Sequence, residues 1–207
     1  MEHSDLETRD RILASALALF ARRGYAATSI QDIVAAAEVT KPALYYYFDS
    51  KAALYQAIVD KAHEERFQLM QAATSKGGDI RSQLSEIIGG RFEFLQKNRD
   101  LMRVAYATAF AAEEELPPEV KRLEKAVRNF DFIHDLIVEA QKKGELNLRY
   151  DSRELACAIH GLMNIYIMND LLHPECKLCR PTAERIVDLF LAGAAPAEEL
   201  KGAMVKA

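Results

Sequence analysis

Apolar side chains recur along this chain at intervals of three and four residues, which is the period of an amphipathic helix. The two-residue alternation that is typical of strands is absent, and the few glycine and proline residues fall mostly between the periodic segments. The pattern therefore predicts an all-α fold of about nine helices.

The first three predicted helices carry their own start and stop signals. A helix is expected from Asp5 to Arg23, and Gly24 would end it in a left-handed conformation. The segment Thr28-Ser29-Ile30-Gln31 has the spacing of a capping box, a hydroxyl followed three residues later by Gln. Apolar residues follow at helical spacing, namely Ile30, Ile33, Val34 and Ala37. Thr40 can cap a third helix, with Pro42 in the first turn, where proline is tolerated.

Six further helices are expected in the remainder of the chain. They run from Ser50 to Thr74, Asp79 to Leu95, Asp100 to Ala112, after Pro118 to Lys143, Asp151 to Leu172 and Pro181 to Ala195. Ser50, Asp79 and Asp151 are the expected caps. The boundaries divide the chain into residues 1–50, residues 51–195 and a flexible tail over residues 196–207.

Composition limits the classes of function. The net charge of −4 and the isoelectric point near 5.8 argue against a protein that coats nucleic acid through bulk charge. The N-terminal residues lack the pattern of a signal peptide, and no apolar run approaches the length of a membrane span. With three cysteines and no export signal, a reducing cytoplasm is the expected compartment.

Two short helices joined by a tight turn, after a longer supporting helix, form the helix-turn-helix arrangement. Leu44 and Phe48 would fix the inner face of the third helix, which enters the major groove. The outer face would present Thr40, Lys41, Tyr45 and Tyr46, with Tyr47 at its exit. Hydroxyls and an ammonium group suit phosphate oxygens and base edges. Lys51, in the first turn of the fourth helix, would meet a phosphate.

The linked pattern resembles the DNA-binding domain of the TetR family of bacterial repressors. It comprises the segment from Gly24 to Val34 (GYAATSIQDIV), the segment from Val39 to Phe48 (VTKPALYYYF), and Ser50-Lys51. The resemblance covers about the first fifty residues. It implies a helix-turn-helix DNA-binding domain over residues 1–50 and an effector-binding and dimerisation domain over residues 51–195. It also implies a homodimer that binds a palindromic double-stranded operator and responds to a small-molecule effector.

The resemblance also implies roles for matching residues. Phosphate contacts would come from Thr28, Ser29 and Lys51; the groove entrance would hold Thr40, Lys41 and Pro42; backbone and base contacts would come from Tyr45 and Tyr46. Pro42 stands where the family commonly has glycine, which removes a backbone donor, and Tyr47 stands where histidine is frequent.

An alternative is that the tyrosine run only packs a corner between helices. The first 51 residues carry six Lys and Arg residues against seven Asp and Glu residues, so this region is poor in positive charge. A helix-turn-helix protein that has lost DNA binding and acts through protein contacts therefore stays open.

The last two predicted helices carry apolar stripes that suit a dimer interface. The interface candidates are Leu155, Ile159, Leu162, Tyr166, Ile186, Leu189 and Phe190. The family resemblance implies a four-helix bundle across a two-fold axis. The alternative is that these stripes belong to the core of one subunit.

The middle helices supply large aromatic and sulfur-containing side chains with a few polar ones. The effector-binding candidates are Phe67, Met70, Phe92, Met102, Tyr106, Phe110, Phe130, His134, His160, Met163 and Asn164. Such a set suits an apolar pocket with polar anchors, although each residue alone could be core. Glu93 and Asp131 are the only nearby carboxylates, so a neutral or weakly anionic apolar effector is expected.

No catalytic motif or cofactor signature occurs, so neither an enzyme nor a cofactor is expected. The run Glu113–Glu115 is interpreted as a solvated turn. His173, Cys176 and Cys179 form a weak candidate metal site, since a structural zinc ion requires four ligands. A thiol switch and an inert loop are the alternatives.

Overall fold

Helices account for most of the chain that the computed structural model describes, which comprises residues 2–120, 124–173, 175 and 178–194. Within these residues there are nine α-helices, a 3-10 turn at Glu113–Glu115 and no strand, which confirms the all-α prediction. The helices are α1 (Glu2–Arg23), α2 (Ile30–Ala36), α3 (Lys41–Tyr47), α4 (Lys51–Thr74), α5 (Ile80–Lys97), α6 (Arg99–Phe110), α7 (Glu124–Lys142), α8 (Ser152–Leu172) and α9 (Arg180–Ala194). The predicted tail lies outside the described residues.

Four of the predicted helix caps are present. The backbone N–H of Ala43 donates to the Thr40 hydroxyl, and the N–H of Ala53 donates to Ser50. Asp79 accepts from the N–H of Ser82 at the start of α5. Asp151 caps α8 in a capping box with Glu154. These local hydrogen bonds satisfy donors that the first turn of a helix otherwise leaves unpaired.

The predicted cap of α2 is wrong by one residue. Ser29 caps this helix: its Oγ accepts from the N–H of Asp32 at 3.1 Å, and the Asp32 carboxylate accepts from the N–H of Ser29 at 2.9 Å. Thr28 is instead 1% exposed, and its hydroxyl donates to the carbonyl of Gly24 at 2.8 Å. Thr28 thus closes the end of α1, where Gly24 has the expected positive φ of 78°.

The chain folds as two compact units. Unit 1 comprises residues 1–65 and 98–125, and unit 2 comprises residues 66–97 and 126–207. Unit 1 therefore contains α6 as well as the helix-turn-helix, and the continuous helix α4 contributes to both units. The functional boundary near residue 50 stays a prediction.

In unit 1 a buried core holds the three N-terminal helices together. It includes Ile12, Ala16, Phe20, Ile33, Val34, Leu44, Phe48, Leu54 and Ile58. The phenol of Tyr55 on α4 is 2.8 Å from the Thr108 hydroxyl on α6, and both side chains are buried. Because a buried polar pair satisfies its own hydrogen bonds, this contact fixes α6 against α4 without an unpaired group.

In unit 2, α5 and α9 pack along each other, and Arg180 joins them at one end. Its guanidinium contacts the carboxylates of Glu93 at 2.6 Å and Glu86 at 2.9 Å. Arg81 pairs with Asp188 further along, at 2.6 Å. These pairs are about half exposed, so they contribute little to stability and chiefly fix the register of the two helices.

α8 corrects the expectation about membrane-spanning length. Its best 18-residue window has a mean hydropathy of 1.3, so by length and composition alone this helix could cross a bilayer. A third of that window (33%) is buried inside the chain. A core helix passes the same test.

Candidate functional site

α3 presents an aromatic face to solvent because its opposite face is fixed in the core. Leu44 is 0% exposed and Phe48, at the C-terminal cap, is 5% exposed. On the other side Tyr45 is 47% exposed and Tyr46 is 76% exposed, and Lys41 is exposed as well. Large apolar rings held in water by a rigid helix are costly unless a partner covers them.

The remaining residues predicted on this helix have different environments. Tyr47 is half-buried, and its ring lies edge-on to that of Tyr46 with centroids 4.9 Å apart. Thr40 and Pro42 are exposed at the start of the helix, although the Thr40 hydroxyl already accepts the capping hydrogen bond. Pro42 lies in the first turn and provides no backbone donor.

The two hydroxyls predicted to touch phosphate from α2 are engaged within the chain. The Thr28 side chain is buried and its hydroxyl donates to the carbonyl of Gly24, so its phosphate contact stays a prediction. Ser29 is exposed, but its Oγ donates to Asp32 Oδ2 at 2.6 Å. That hydrogen bond lowers the pKa of Asp32, so a negative charge stands beside Ser29 at neutral pH.

Lys51 lies in the first turn of α4, as expected, but its ammonium group is directed into the helix-turn-helix. Nζ donates to the carbonyl oxygens of Tyr25 at 3.0 Å and Thr28 at 2.9 Å, and it lies 4.1 Å from the centroid of the Tyr25 ring. Burial lowers the pKa of Lys51. The side chain therefore clamps the segment before α2 to α4, a role that the sequence did not indicate.

The predicted dimer residues separate into two sets. Four of them are buried within unit 2, and their assignment to an interface stays a prediction: Leu155, Ile159, Ile186 and Phe190. Leu162 is half-buried, Tyr166 is 36% exposed and Leu189 is 60% exposed. Ile165, which the prediction missed, is 56% exposed on the same helix as Tyr166.

Two of these residues, Leu162 and Leu189, line a shallow groove between α8 and α9. Ala158, Leu162, Leu189 and Gly193 line it, with a volume of about 440 Å³. Small residues beside large ones allow two helix pairs to approach closely. We refer to Leu162, Ile165, Tyr166 and Leu189 as the α8/α9 face.

The predicted effector residues also differ in burial and in the unit to which they belong. Four are buried core side chains in this structure: Met70, Phe92, Met102 and Met163. Phe110 is 72% exposed, and its assignment to an effector site stays a prediction. Met102, Tyr106 and Phe110 belong to unit 1, whereas the other candidates belong to unit 2.

Within unit 2, the half-buried candidates gather around Phe130. Its ring is stacked on that of His134 with centroids 6.5 Å apart and lies edge-on to His160 at 5.6 Å. His134 Nε2 is 2.8 Å from the Ser152 hydroxyl, and Asn164 Nδ2 is 3.0 Å from His160 Nδ1. Phe67, elsewhere in the unit, lies edge-on to Phe132 at 5.6 Å. Aromatic rings combined with a few hydrogen-bonding side chains are the composition that small-molecule sites share.

Positive charge distinguishes the surroundings of His160. Arg91 and Arg66 are buried in unit 2, with 3% and 8% exposure. Burial, followed by the charges of Arg91 and Arg66, lowers the pKa of His160 to about 4. The imidazole is therefore neutral at physiological pH, and the local field favours an anionic over a cationic group.

This depressed pKa predicts a loss of stability in acid. An unfolded histidine titrates near pH 6.5, so below that pH the unfolded state binds a proton that the folded state refuses. The free energy of unfolding should fall as pH drops from about 6.5 to about 4, by roughly 2–3 kcal/mol from this residue. Urea denaturation of wild type and His160→Gln across that range measures it. The variant should lose less stability, and parallel pH profiles would contradict the assignment.

The candidate metal site is incomplete in the described chain. Cys176 lies outside the described residues. His173 Nδ1 is 3.6 Å from Glu175 Oε1, and hydrogen bonds from Thr182 lower the pKa of the exposed Cys179 thiol. Among the described residues, no three His, Cys, Asp or Glu side chains are grouped to hold a metal ion.

Comparison with known proteins relates residues 12–58 to the family model described as "Bacterial regulatory proteins, tetR family". The chain is 23% identical over 200 residues to YdgC of Bacillus subtilis, an uncharacterized HTH-type transcriptional regulator, covering 95% of this chain and 97% of that one. It is 26% identical over 190 residues to the HTH-type transcriptional regulator TtgR of Pseudomonas putida, covering 89% and 90%. The structure of a SmeT–triclosan complex has the same fold, with a TM-score of 0.75 at 21% identity over 92% of this chain and 93% of that one.

Proposed function

The chain belongs to the TetR family of bacterial regulatory proteins, and from that membership we propose that it is a repressor released from its operator by a small apolar effector. It is a helix-turn-helix transcriptional regulator, so its partner is double-stranded DNA. We propose further that it represses transcription and acts in the cytoplasm. We also propose that it binds a palindrome as a homodimer.

The exposed face of α3 is the observation that carries the DNA-binding part of this proposal. Lys41, Tyr45 and Tyr46 point away from a core that holds Leu44 rigidly. A phenol ring can pack on deoxyribose or a thymine methyl group while its hydroxyl bonds to a phosphate, and lysine provides the charge. The low positive charge of the region then implies that binding depends on local geometry more than on long-range attraction.

The α8/α9 face supports a homodimer. It combines exposed leucine, isoleucine and tyrosine side chains with the shallow groove, and a surface of this kind is expected to be covered. A two-fold dimer supplies two copies of α3, one for each half-site, which is how helix-turn-helix repressors achieve specificity.

The continuity of α4 supports the proposal that an effector releases the operator. This helix has 24 residues, begins shortly after α3 ends, and contributes to both units. A displacement of its C-terminal part therefore moves its first turn, where Lys51 holds the helix-turn-helix. Ligand and operator would then oppose each other through equal and reciprocal coupling. Within unit 2, Arg66 and Arg91 near His160 favour a neutral or weakly anionic effector. SmeT, which has the same fold, is known in complex with triclosan.

Selection of operators from a random DNA library tests the proposal. We expect enrichment of two half-sites in inverted orientation, spaced by whole helical turns. Tyr46→Ala should weaken binding to the selected site by about tenfold, the value of one good contact. Phe110→Ala, which removes an equally exposed ring from unit 1 outside α3, is the matched control and should have no effect. Equal affinity for all sequences would instead favour a protein that acts through protein contacts.

A further inference from the structure

Unit 1 contains a cavity that none of the proposed roles uses. Its volume is about 760 Å³, within the range of small-molecule sites. The end of α1, the turn before α2, the start of α4, and α6 with the following segment enclose it. None of the predicted DNA-binding or effector-binding residues lines it.

One wall of the cavity is aromatic. The rings of Phe20, Tyr25 and Tyr55 all line it. Tyr55 lies edge-on to each of the other two with centroid distances of 5.0 Å, and Phe20 and Tyr25 are stacked at 5.9 Å. Tyr25 already holds one cation, the Lys51 ammonium, at 4.1 Å from its centroid. The electron-rich faces of such rings attract cations.

The charged groups of the cavity leave an excess of negative charge. Arg103 is 3.5 Å from Asp100 and Arg23 is 4.0 Å from Asp32, so each lining arginine has its own counter-charge. Within the described part of the chain, the lining carboxylates Glu114 and Glu115 have no such ion pair; Glu115 Oε2 accepts from the N–H of Ala112, at 3.1 Å.

The field of this acidic segment reaches the aromatic wall. The pKa of Tyr25 is raised, first by burial and then by the negative charge of Glu119. Burial disfavours charge of either sign, so only the contribution of Glu119 favours a positive charge beside Tyr25.

We propose that this cavity is a binding site for organic cations with an apolar, aromatic body. The apolar body would replace water against the accessible lining residues Tyr25, Ala107 and Ala111, and the cationic centre would face Glu114 and Glu115. The site is separate from the effector candidates of unit 2, where buried arginines favour the opposite charge. It does not depend on the proposed repressor function.

The position of the cavity gives its occupant a route to the helix-turn-helix. Gly24 to Ala27 line it, and this turn leads into the Ser29 cap of α2. Lys51 holds the same turn through the Tyr25 carbonyl. A cation in the cavity therefore contacts the segment that sets the start of α2.

Two probes of similar shape and opposite charge test the proposal: tetraphenylphosphonium and tetraphenylborate. Calorimetric titration of the full-length protein should show saturable binding of tetraphenylphosphonium. Ala107→Trp, which places an indole at an exposed lining position of α6, should weaken that binding by about tenfold or more. Glu114→Gln should weaken it by about two- to fivefold and should not weaken binding of tetraphenylborate.

Glu7→Gln provides the matched control, because it makes the same charge change at an exposed residue of unit 1 that does not line the cavity. The proposal is overturned if tetraphenylphosphonium does not bind, or if Ala107→Trp, with its thermal midpoint retained, binds it as tightly as wild type. Equal effects of Glu114→Gln and Glu7→Gln overturn the charge selectivity. None of these measurements uses DNA, so they stand apart from the test of the repressor.

Discussion

Leu189→Glu should convert the protein to monomers and abolish tight operator binding while the helix-turn-helix stays folded. Leu189 is 60% exposed on α9, so the substitution leaves the core of the subunit intact. In a two-fold dimer each copy places one charge in the same apolar seam. An uncompensated charge in a desolvated interface costs about 3 kcal/mol or more, which corresponds to roughly a hundredfold increase in the dimer dissociation constant.

Sedimentation velocity at low micromolar concentration measures the change in mass, and fluorescence anisotropy measures operator affinity. A monomer offers one recognition helix, so its affinity should fall toward the level for random DNA. Val127→Glu is the control, because Val127 is 52% exposed on α7 and is not one of the residues of the α8/α9 face. An unchanged dimer for Leu189→Glu would show that the interface lies elsewhere.

The sequence predicted the helices well because their signals are local. Caps at Thr40, Ser50, Asp79 and Asp151 depend on residues two or three positions apart, and the structure contains all four. The predicted cap of α2 lies one residue too early, because the sequence offers two hydroxyls with similar spacing. Thr28 and Ser29 both precede an acceptable partner by three residues, and local spacing cannot decide between them. Burial of Thr28 decides it, and burial is a tertiary property.

The interface was harder to predict because α8 carries two apolar stripes. Leu155, Ile159 and Met163 face the core, whereas Leu162 and Ile165 remain accessible. Periodicity identifies a stripe but not the surface that covers it. Which stripe lies inside is settled by the packing of the whole unit, and only then does the second stripe stand out as exposed.

Lys51 shows the same limit at the DNA-binding end. A lysine in the first turn of a helix is a reasonable phosphate ligand from sequence, because it stands near unpaired backbone donors. Its actual partners are the backbone carbonyls of Tyr25 and Thr28, far earlier in the chain. Carbonyl groups leave no signature in a sequence, so only the fold could reveal this clamp.

Lys51→Met should therefore behave as a stability variant of the helix-turn-helix, in contrast to Lys41→Met. Loss of two charge-assisted hydrogen bonds from a partly buried ammonium should lower the free energy of unfolding by about 2 kcal/mol, and the thermal midpoint by roughly 4–8 °C. Operator affinity should fall as the start of α2 loosens, but the salt dependence of binding should change little. Lys41 is exposed at the start of α3, so its loss should leave the midpoint unchanged.

For Lys41→Met the logarithmic slope of affinity against salt should fall by about one unit if the ammonium meets a phosphate. Differential scanning calorimetry and anisotropy titrations at several salt concentrations measure both quantities for both variants. The two variants make the same chemical change at different positions. The general effects of removing a lysine are therefore the same in both and drop out of the comparison. If Lys51→Met instead keeps its midpoint and loses one unit of salt slope, the ammonium leaves the two carbonyls for a phosphate on the operator, and its role as a clamp is wrong.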